Sequence, residues 1–424
     1  MPEKLEGVAG LEGLVAQKTE QCTNCGFCRF MLNCNQKGCT GCGQCFAACP
    51  NQARVMRKVH KDKVIYLTLD GNRVAVPEQV TILQALEASG YTVSHHPKQH
   101  GDIFAPCKMG GCGACSVLVN GQLKPSCTTK VAEGMEICTE PARIISKEPV
   151  RLANHFQGYK GGIAGPTAIR TQEITEFTFF AQGCNLRCPT CHNWDLAFST
   201  IGKYATPRET AAVMERGRRQ YGVSKVAVTG GEITLNRPWL VQFLREFKAI
   251  CAEPDLSLQL DTNASILTPD YIDELYAAGV TDISPDLKGL FPETYMALTG
   301  MDDPELAKLC LETSWQAVEY LLKHYRDKMF IVLAIPYHYQ LITLSEFSQI
   351  AQRIYALDPE VCISLIDYQP AFRYRDLPEM GIDKLEQAHQ VFLDAGLRRV
   401  LWQTGDQLGR ALDPDDLLLE ADGF

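Results

Sequence analysis

Fifteen of the 19 cysteines in this 424-residue chain fall in three runs: eight between 22 and 49, four between 107 and 127, and three between 184 and 191. Reduced cytosolic thiols in such numbers point to bound metal instead of disulfides. The third run reads GCNLRCPTCHN and spaces Cys184, Cys188 and Cys191 as CxxxCxxC. Three thiolates can hold three irons of a 4Fe-4S cube, leaving the fourth iron open to a substrate or cofactor as catalytic metal sites do. Residues 188–192 also match CxxCH, the haem-attachment pattern, which leaves Cys184 unexplained. Cys138, Cys251, Cys310 and Cys362 stand alone and read as small buried hydrophobes.

These thiols need elements to position them. With 46% hydrophobic and 21% charged residues, the chain can bury ordinary cores, and its length predicts two to three domains. A net charge of −9 lacks the broad positive field that holds nucleic acid. No run of 18 apolar residues occurs and the N-terminus lacks a signal-peptide layout, so the expectation is a cytoplasmic protein with no membrane partner. Residues 1–60 hold the first run and little periodicity, so they need metal to order them. Residues 61–141 read as a small β-rich unit, with hairpins at Asp70-Gly71 and Asn120-Gly121 and a helix capped by Thr81. Residues 142–172, which include KGGIAGPT, are taken as linker or packing arm.

From 173 to 424, strands and helices alternate. Strands are expected at 176–182, 225–230, 256–262, 281–287, 329–336 and 362–368, with amphipathic helices near 207–221, 237–251, 268–278, 304–326, 343–357 and 382–395. That order predicts an α/β fold with a parallel sheet curled into a barrel.

CxxxCxxC directly after the first of these strands, with Gly230-Gly231-Glu232 ending the next, resembles the radical S-adenosylmethionine (SAM) superfamily. The resemblance implies a partial (β/α)6-type radical SAM barrel. It also implies that SAM chelates the open iron of a cluster on Cys184, Cys188 and Cys191, and that one electron cleaves it to methionine and a 5′-deoxyadenosyl radical that abstracts hydrogen. Gly230, Gly231 and Glu232 would receive the methionyl ammonium. Asp286 and Lys288 in SPDLKG resemble the DxK element of pyruvate formate-lyase activating enzymes, and Asp261, Thr262 and Asn263 resemble their DTNG strand end, with Ala264 in place of Gly. Asp261, Thr262 and Asn263 are thus candidate cofactor contacts, and Asp286, Lys288 and His338 candidate catalytic residues. Cys191-His192-Asn193 also resembles these activating enzymes, whereas Tyr368-Gln369-Pro370 stands where their His-Pro is usual.

Cys107, Cys112 and Cys115 follow the plant-type spacing CxxxxCxxC, with Cys127 twelve positions on, and the unit resembles the 2Fe-2S domain of molybdenum hydroxylase small subunits. It is expected to be a β-grasp-like ferredoxin domain. The first run resembles bacterial ferredoxins: Cys39, Cys42, Cys45 and Cys49 form CxxCxxCxxxCP, and Cys22, Cys25, Cys28 and Cys34 a looser copy. Two further 4Fe-4S clusters with exchanged fourth ligands are expected, Cys49 joining the first set and Cys34 the second. A zinc knuckle is the competing reading of one group. Together these modules suggest an electron relay from a soluble ferredoxin- or flavodoxin-type donor to the SAM-bound cluster. The substrate would be a glycyl-radical protein, in the manner of an activase, or a small molecule. An electron-transfer subunit with an inactive barrel is the alternative from another class.

Overall fold

The computed structural model describes residues 12–34, 37–61, 63–159, 174–251 and 253–403. At the N-terminal end β1 (Glu12–Lys18) pairs antiparallel along its whole length with β2 (Arg54–His60). Between them the first cysteine run is carried on two single-turn helices, α1 (Phe27–Phe30) and α2 (Gln44–Ala47). Each turn is entered through a glycine at positive φ, Gly26 at 83° and Gly43 at 79°, a conformation that side chains with a Cβ resist.

The second unit contains β3 (Val64–Leu69), β4 (Asn72–Pro77), α3 (Ile82–Ala88), β5 (Val93–Ser94), β6 (Ile103–Phe104), β7 (Ser116–Val119), β8 (Gln122–Pro125) and β9 (Glu136–Cys138). Its five-stranded sheet runs β4-β3-β9-β7-β8, with β3 and β9 parallel. Both hairpin turns have two positive-φ residues, Asp70-Gly71 (46° and 84°) and Asn120-Gly121 (49° and 81°), as two-residue type I′ turns require. Thr81 caps α3 in a reciprocal capping box with Gln84, and Ile82, Leu83, Ala85 and Leu86 pack into the core over the sheet.

The described part of 142–172 is more ordered than a linker. α4 (Pro141–Ile145) precedes β10 (Arg151–Leu152) and β11 (Phe156–Tyr159), and β11 pairs antiparallel with β12 (Glu176–Ala181) at the edge of the large sheet. Short pairings of this kind leave little periodic signal. Residues 160–173, with KGGIAGPT, lie outside the described residues.

After β12 come α5 (Trp194–Ala197), β13 (Tyr204–Ala205), α6 (Pro207–Tyr221), β14 (Lys225–Gly230), α7 (Arg237–Ile250), β15 (Ser257–Thr262), α8 (Pro269–Ala278), β16 (Asp282–Pro285), α9 (Pro292–Thr299), α10 (Pro304–His324), β17 (Phe330–Tyr337), α11 (Leu344–Leu357), β18 (Cys362–Asp367), α12 (Ile382–Asp394) and β19 (Val400–Gln403). The eight-stranded sheet runs β11-β12-β14-β15-β16-β17-β18-β19, parallel throughout from β12. The six expected strands are therefore joined by β19 as a seventh parallel strand. The order ends at β11 and β19, which makes this a partial barrel. Its main core packs Phe179 of β12 against Trp239 and Phe243 of α7, while Phe177 of the same strand stacks on Phe156 and on Tyr221 of α6. Full burial contributes about 1.5–3 kcal/mol per large apolar side chain. Among the described residues no helix is long and apolar enough to cross a membrane.

Candidate functional site

A cavity of about 360 Å³ opens at the C-terminal ends of the parallel strands, where barrel sites assemble. Cys184, Cys188 and Cys191 line it together with Gly230, Gly231, Asp261, Thr262, Asn263, Asp286 and Lys288, and His192 also belongs to its wall. Close backbone contact builds this end of the barrel. The Gly231 N–H donates to the Ala181 carbonyl (2.7 Å) and the Glu232 N–H to the Gly183 carbonyl (2.8 Å). A Cβ on Gly230, whose φ is 106°, would lie 2.4 Å from the Ala181 nitrogen, so only glycine lets β14 reach the cysteine loop.

Glu232 is fully buried and is absent from the cavity wall. Its carboxylate accepts from the Thr234 hydroxyl (2.6 Å), the Thr262 hydroxyl (2.7 Å) and the Asn263 N–H (2.7 Å). Burial raises its pKa, and these hydrogen bonds work against the rise. In this arrangement Glu232 braces the end of β15. Asn263 in turn donates from Nδ2 to Asn185 Oδ1 (3.0 Å), within the cysteine loop.

Lys288 Nζ lies 2.8 Å from Asp286 Oδ2. Burial disfavours the ammonium, but the charge and hydrogen bond of Asp286, together with Tyr368 and Cys188, outweigh it and hold the lysine well above its ordinary pKa. Asp261 accepts from Gln259 on one oxygen (2.7 Å) and, among the described residues, has no partner on the other. Burial, with Glu176 and Asp286 nearby, pushes its carboxyl up to about 7. His338 is away from the cavity wall: Nε2 bonds the Pro378 carbonyl (2.9 Å) and Nδ1 accepts from the Gln340 N–H (3.2 Å). Both ring nitrogens are occupied by backbone, which is a structural placement.

The cavity chemistry fits an iron-sulfur group. Burial raises the thiols of Cys184 and Cys188 and pushes Cys191 up to about 12, so three thiolates persist here only beside a strong cation, and a coordinated thiol is deprotonated outright. The Asp261 oxygen and the Tyr368 hydroxyl, both without partners, add polar groups awaiting a ligand. Among the described residues no three His, Cys, Asp or Glu side chains gather tightly enough to hold a single metal ion. Cys107, Cys112, Cys115 and Cys127 are 1–4% exposed, with the Cys107 and Cys112 sulfurs 3.1 Å apart. Cys22, Cys25, Cys28 and Cys49 share a second cavity of about 390 Å³, and Cys34 lines it too. The Cys39 sulfur accepts from the Ala16 and Gly41 N–H groups.

All three runs meet at one small core. Phe27 and Cys45, Cys107 and Cys112, and Phe198 and Phe372 pack together there, with Cys184 and Cys191 against them. Trp194 bridges it, its ring centroid 5.1 Å from Phe27 and 5.2 Å from Phe372. Arg373 donates to the Ala47 carbonyl (2.6 Å), and Gln44 donates to the Met109 carbonyl (2.8 Å). The Cys107–Cys115 loop touches the Cys184–Cys191 loop directly: a Cβ on Gly111 would lie 2.7 Å from the Gly183 nitrogen. Two residues at this contact, Arg151 and Arg187, went unnoticed in the sequence. Arg187 stands inside the CxxxCxxC motif, but spacing gives no sign that its guanidinium reaches the Cys107 carbonyl (2.7 Å), 80 positions away.

Comparison with known proteins agrees with this architecture. Residues 178–354 match the Radical SAM superfamily and residues 62–142 match the 2Fe-2S iron-sulfur cluster binding domain. The chain therefore carries a radical SAM domain joined to an N-terminal 2Fe-2S ferredoxin domain. It is similar to a probable GTP 3',8-cyclase of Thermococcus kodakarensis, 32% identical over 140 residues, 33% of this chain and 42% of that protein. It is also similar to the pyruvate formate-lyase-activating enzyme of Streptococcus mutans, 30% identical over 157 residues, 35% of this chain and 55% of that protein. The chain spans about two fifths of the length of the first cyclases it matches. A crystal structure of Streptococcus suis SuiB bound to S-adenosylmethionine has a TM-score of 0.38 at 15% identity, over 52% of this chain and 48% of that one.

Proposed function

We propose that this protein is a radical SAM oxidoreductase with a built-in iron-sulfur relay. The observation that carries the reading is the convergence of Cys184, Cys188 and Cys191 with Gly230, Gly231, Asp261, Asp286 and Lys288 on one cavity that abuts the 2Fe-2S loop. A cluster on these three cysteines would supply the electron that cleaves SAM reductively and so generate a 5′-deoxyadenosyl radical for hydrogen abstraction. The chain's own residues bind and shield. Asp261 and Asn263 present polar groups at the end of β15, and the Lys288–Asp286 ion pair stands beside them on the next strand end, where the Asp286 N–H donates to the Thr262 carbonyl (2.9 Å).

The relay reading adds two 4Fe-4S clusters on residues 22–49, one held by Cys22, Cys25, Cys28 and Cys49 and the other by Cys34, Cys39, Cys42 and Cys45. They would take electrons from a ferredoxin- or flavodoxin-type donor. A glycyl-radical protein is the substrate this reading favours, on the strength of Cys191-His192-Asn193 and the Asp286–Lys288 element. A small-molecule substrate is the second reading, supported by the similarity to GTP 3',8-cyclases. The test is anaerobic reconstitution, reduction and SAM addition, with 5′-deoxyadenosine measured beside Cys188→Ala. Product in the parent alone supports the enzyme. No product from a fully loaded, reduced parent refutes it and favours the electron-transfer alternative.

A further inference from the structure

Two arginines, Arg151 fully buried and Arg187 half-buried, lie where the 2Fe-2S loop meets the radical SAM loop, and among the described residues their hydrogen-bond partners are backbone carbonyls alone. Arg151 is fully buried and donates to the Gln182 and Ile233 carbonyls, each at 3.0 Å. Arg187 donates to the carbonyls of Cys184 (2.6 Å), Leu186 (2.7 Å) and Cys107 (2.7 Å). The Nε of each is buried without a partner. The guanidinium groups also sit on ring faces, Arg151 over Trp239 at 5.2 Å and Arg187 over Phe198 at 4.9 Å. A guanidinium keeps its charge at any working pH, and a buried cation without an anion is strongly disfavoured. Cysteines supply negative charge to both: Cys112 and Cys107, followed by Tyr271 and Glu232, act on Arg151, and Cys184, Cys107, Cys188 and Cys191 act on Arg187.

We propose that Arg151 and Arg187 are positioning residues that act as fixed counter-charges to the cysteine-bound iron-sulfur sites beside them and raise the reduction potential of the 2Fe-2S site, with Arg187 also clamping the two loops together. The proposal rests on the iron-sulfur reading above. One-electron reduction by an external reductant makes a site one charge more negative, so a nearby cation favours the reduced form. Arg187, which holds carbonyls of both loops, exerts that pull on the radical SAM side as well.

The test is an EPR-monitored redox titration of the reconstituted protein, with iron and sulfide content measured, for the parent, Arg151→Gln, Arg187→Gln, Arg151→Lys and Arg187→Lys. Each Gln variant is expected to make reduction of the 2Fe-2S site at least tenfold less favourable, about 59 mV lower for one electron. The Lys variants keep the charge and are expected to stay near the parent. If Arg187→Gln fails to take up iron, Arg151→Gln decides, since it contacts neither cysteine loop's carbonyls at Cys107 or Cys184. Unchanged potentials in a fully loaded Gln variant overturn the proposal. So does a Lys variant that shifts as far as its Gln counterpart. A parent with no 2Fe-2S signal overturns the iron-sulfur reading itself, which separates the two failures.

Discussion

Replacing Gly183 with alanine tests whether the two cysteine loops must touch. Gly183 has φ of +87°, and a Cβ there would lie 2.6 Å from the Cys112 nitrogen and 3.2 Å from the Cys112 Cβ. Gly121, at the tip of the β7–β8 hairpin, has a similar φ of +81° and nothing within 4 Å of the same position. Both substitutions incur the left-handed backbone strain of about 1–2 kcal/mol. Only Gly183→Ala adds the clash, and overpacking of this kind costs about 1–3 kcal/mol. The difference between the variants therefore corresponds to about 5- to 150-fold. A chain with bound clusters does not unfold in two states, so the useful quantity is the rate at which the visible circular dichroism of the 2Fe-2S site disappears in urea. A native-state clash relieved on opening appears in that unfolding rate. Gly183→Ala is expected to lose the signal faster than Gly121→Ala by that margin and to yield less 5′-deoxyadenosine per reduced cluster. Equal rates for the two variants would refute the reasoning that the loops are held in contact.

Asp261→Asn is expected to flatten the pH dependence of stability. The folded carboxyl titrates near 7 against an ordinary 3.8, so the folded state holds an extra proton between those values and stability falls as pH rises across that window. Urea midpoints of parent and variant from about pH 5 to 7.5 measure it, and parallel profiles would count against the buried carboxyl. Cys49→Ser is expected to remove one 4Fe-4S cluster and leave the 2Fe-2S signal intact, as read by iron content and EPR; loss of no iron would return that cysteine to packing. Thr206→Ala removes the capping box at the start of α6, where Thr206 Oγ1 accepts from the Glu209 N–H (3.3 Å), a loss of about 1 kcal/mol that is expected to speed the loss of helical circular dichroism in urea by up to about 5-fold with SAM cleavage unchanged.

The large elements were legible because each carries its own periodic or punctuating signal. KVAVTG coincides with β14, and Pro207–Tyr221 with α6 behind its Thr206 cap. Elements without a period escaped. β11 has four residues and β10 two, and β19 follows the last strong amphipathic helix with little to mark it. Polar strand ends were legible as a class, since Asp261, Thr262, Asn263, Asp286 and Lys288 do meet at one cavity. Individual orientation was not. Glu232 and His338 follow the ends of β14 and β17, yet one turns into the wall behind β15 and the other is taken up by backbone groups.

By itself the sequence determined the chemistry on offer. Cysteine spacing selects which thiols are near enough along the chain to share a cluster, and hydrophobic alternation selects the parallel sheet that presents them at one end. Only the tertiary structure decided which cysteine runs are neighbours. Gly111 against Gly183, Gln44 against Met109 and Trp194 between Phe27 and Phe372 join segments far apart in the chain. Such contacts depend on three-dimensional fit and on the hydrogen bonds of Arg151 and Arg187 to backbone carbonyls, and short-range patterns of residue type carry no record of either.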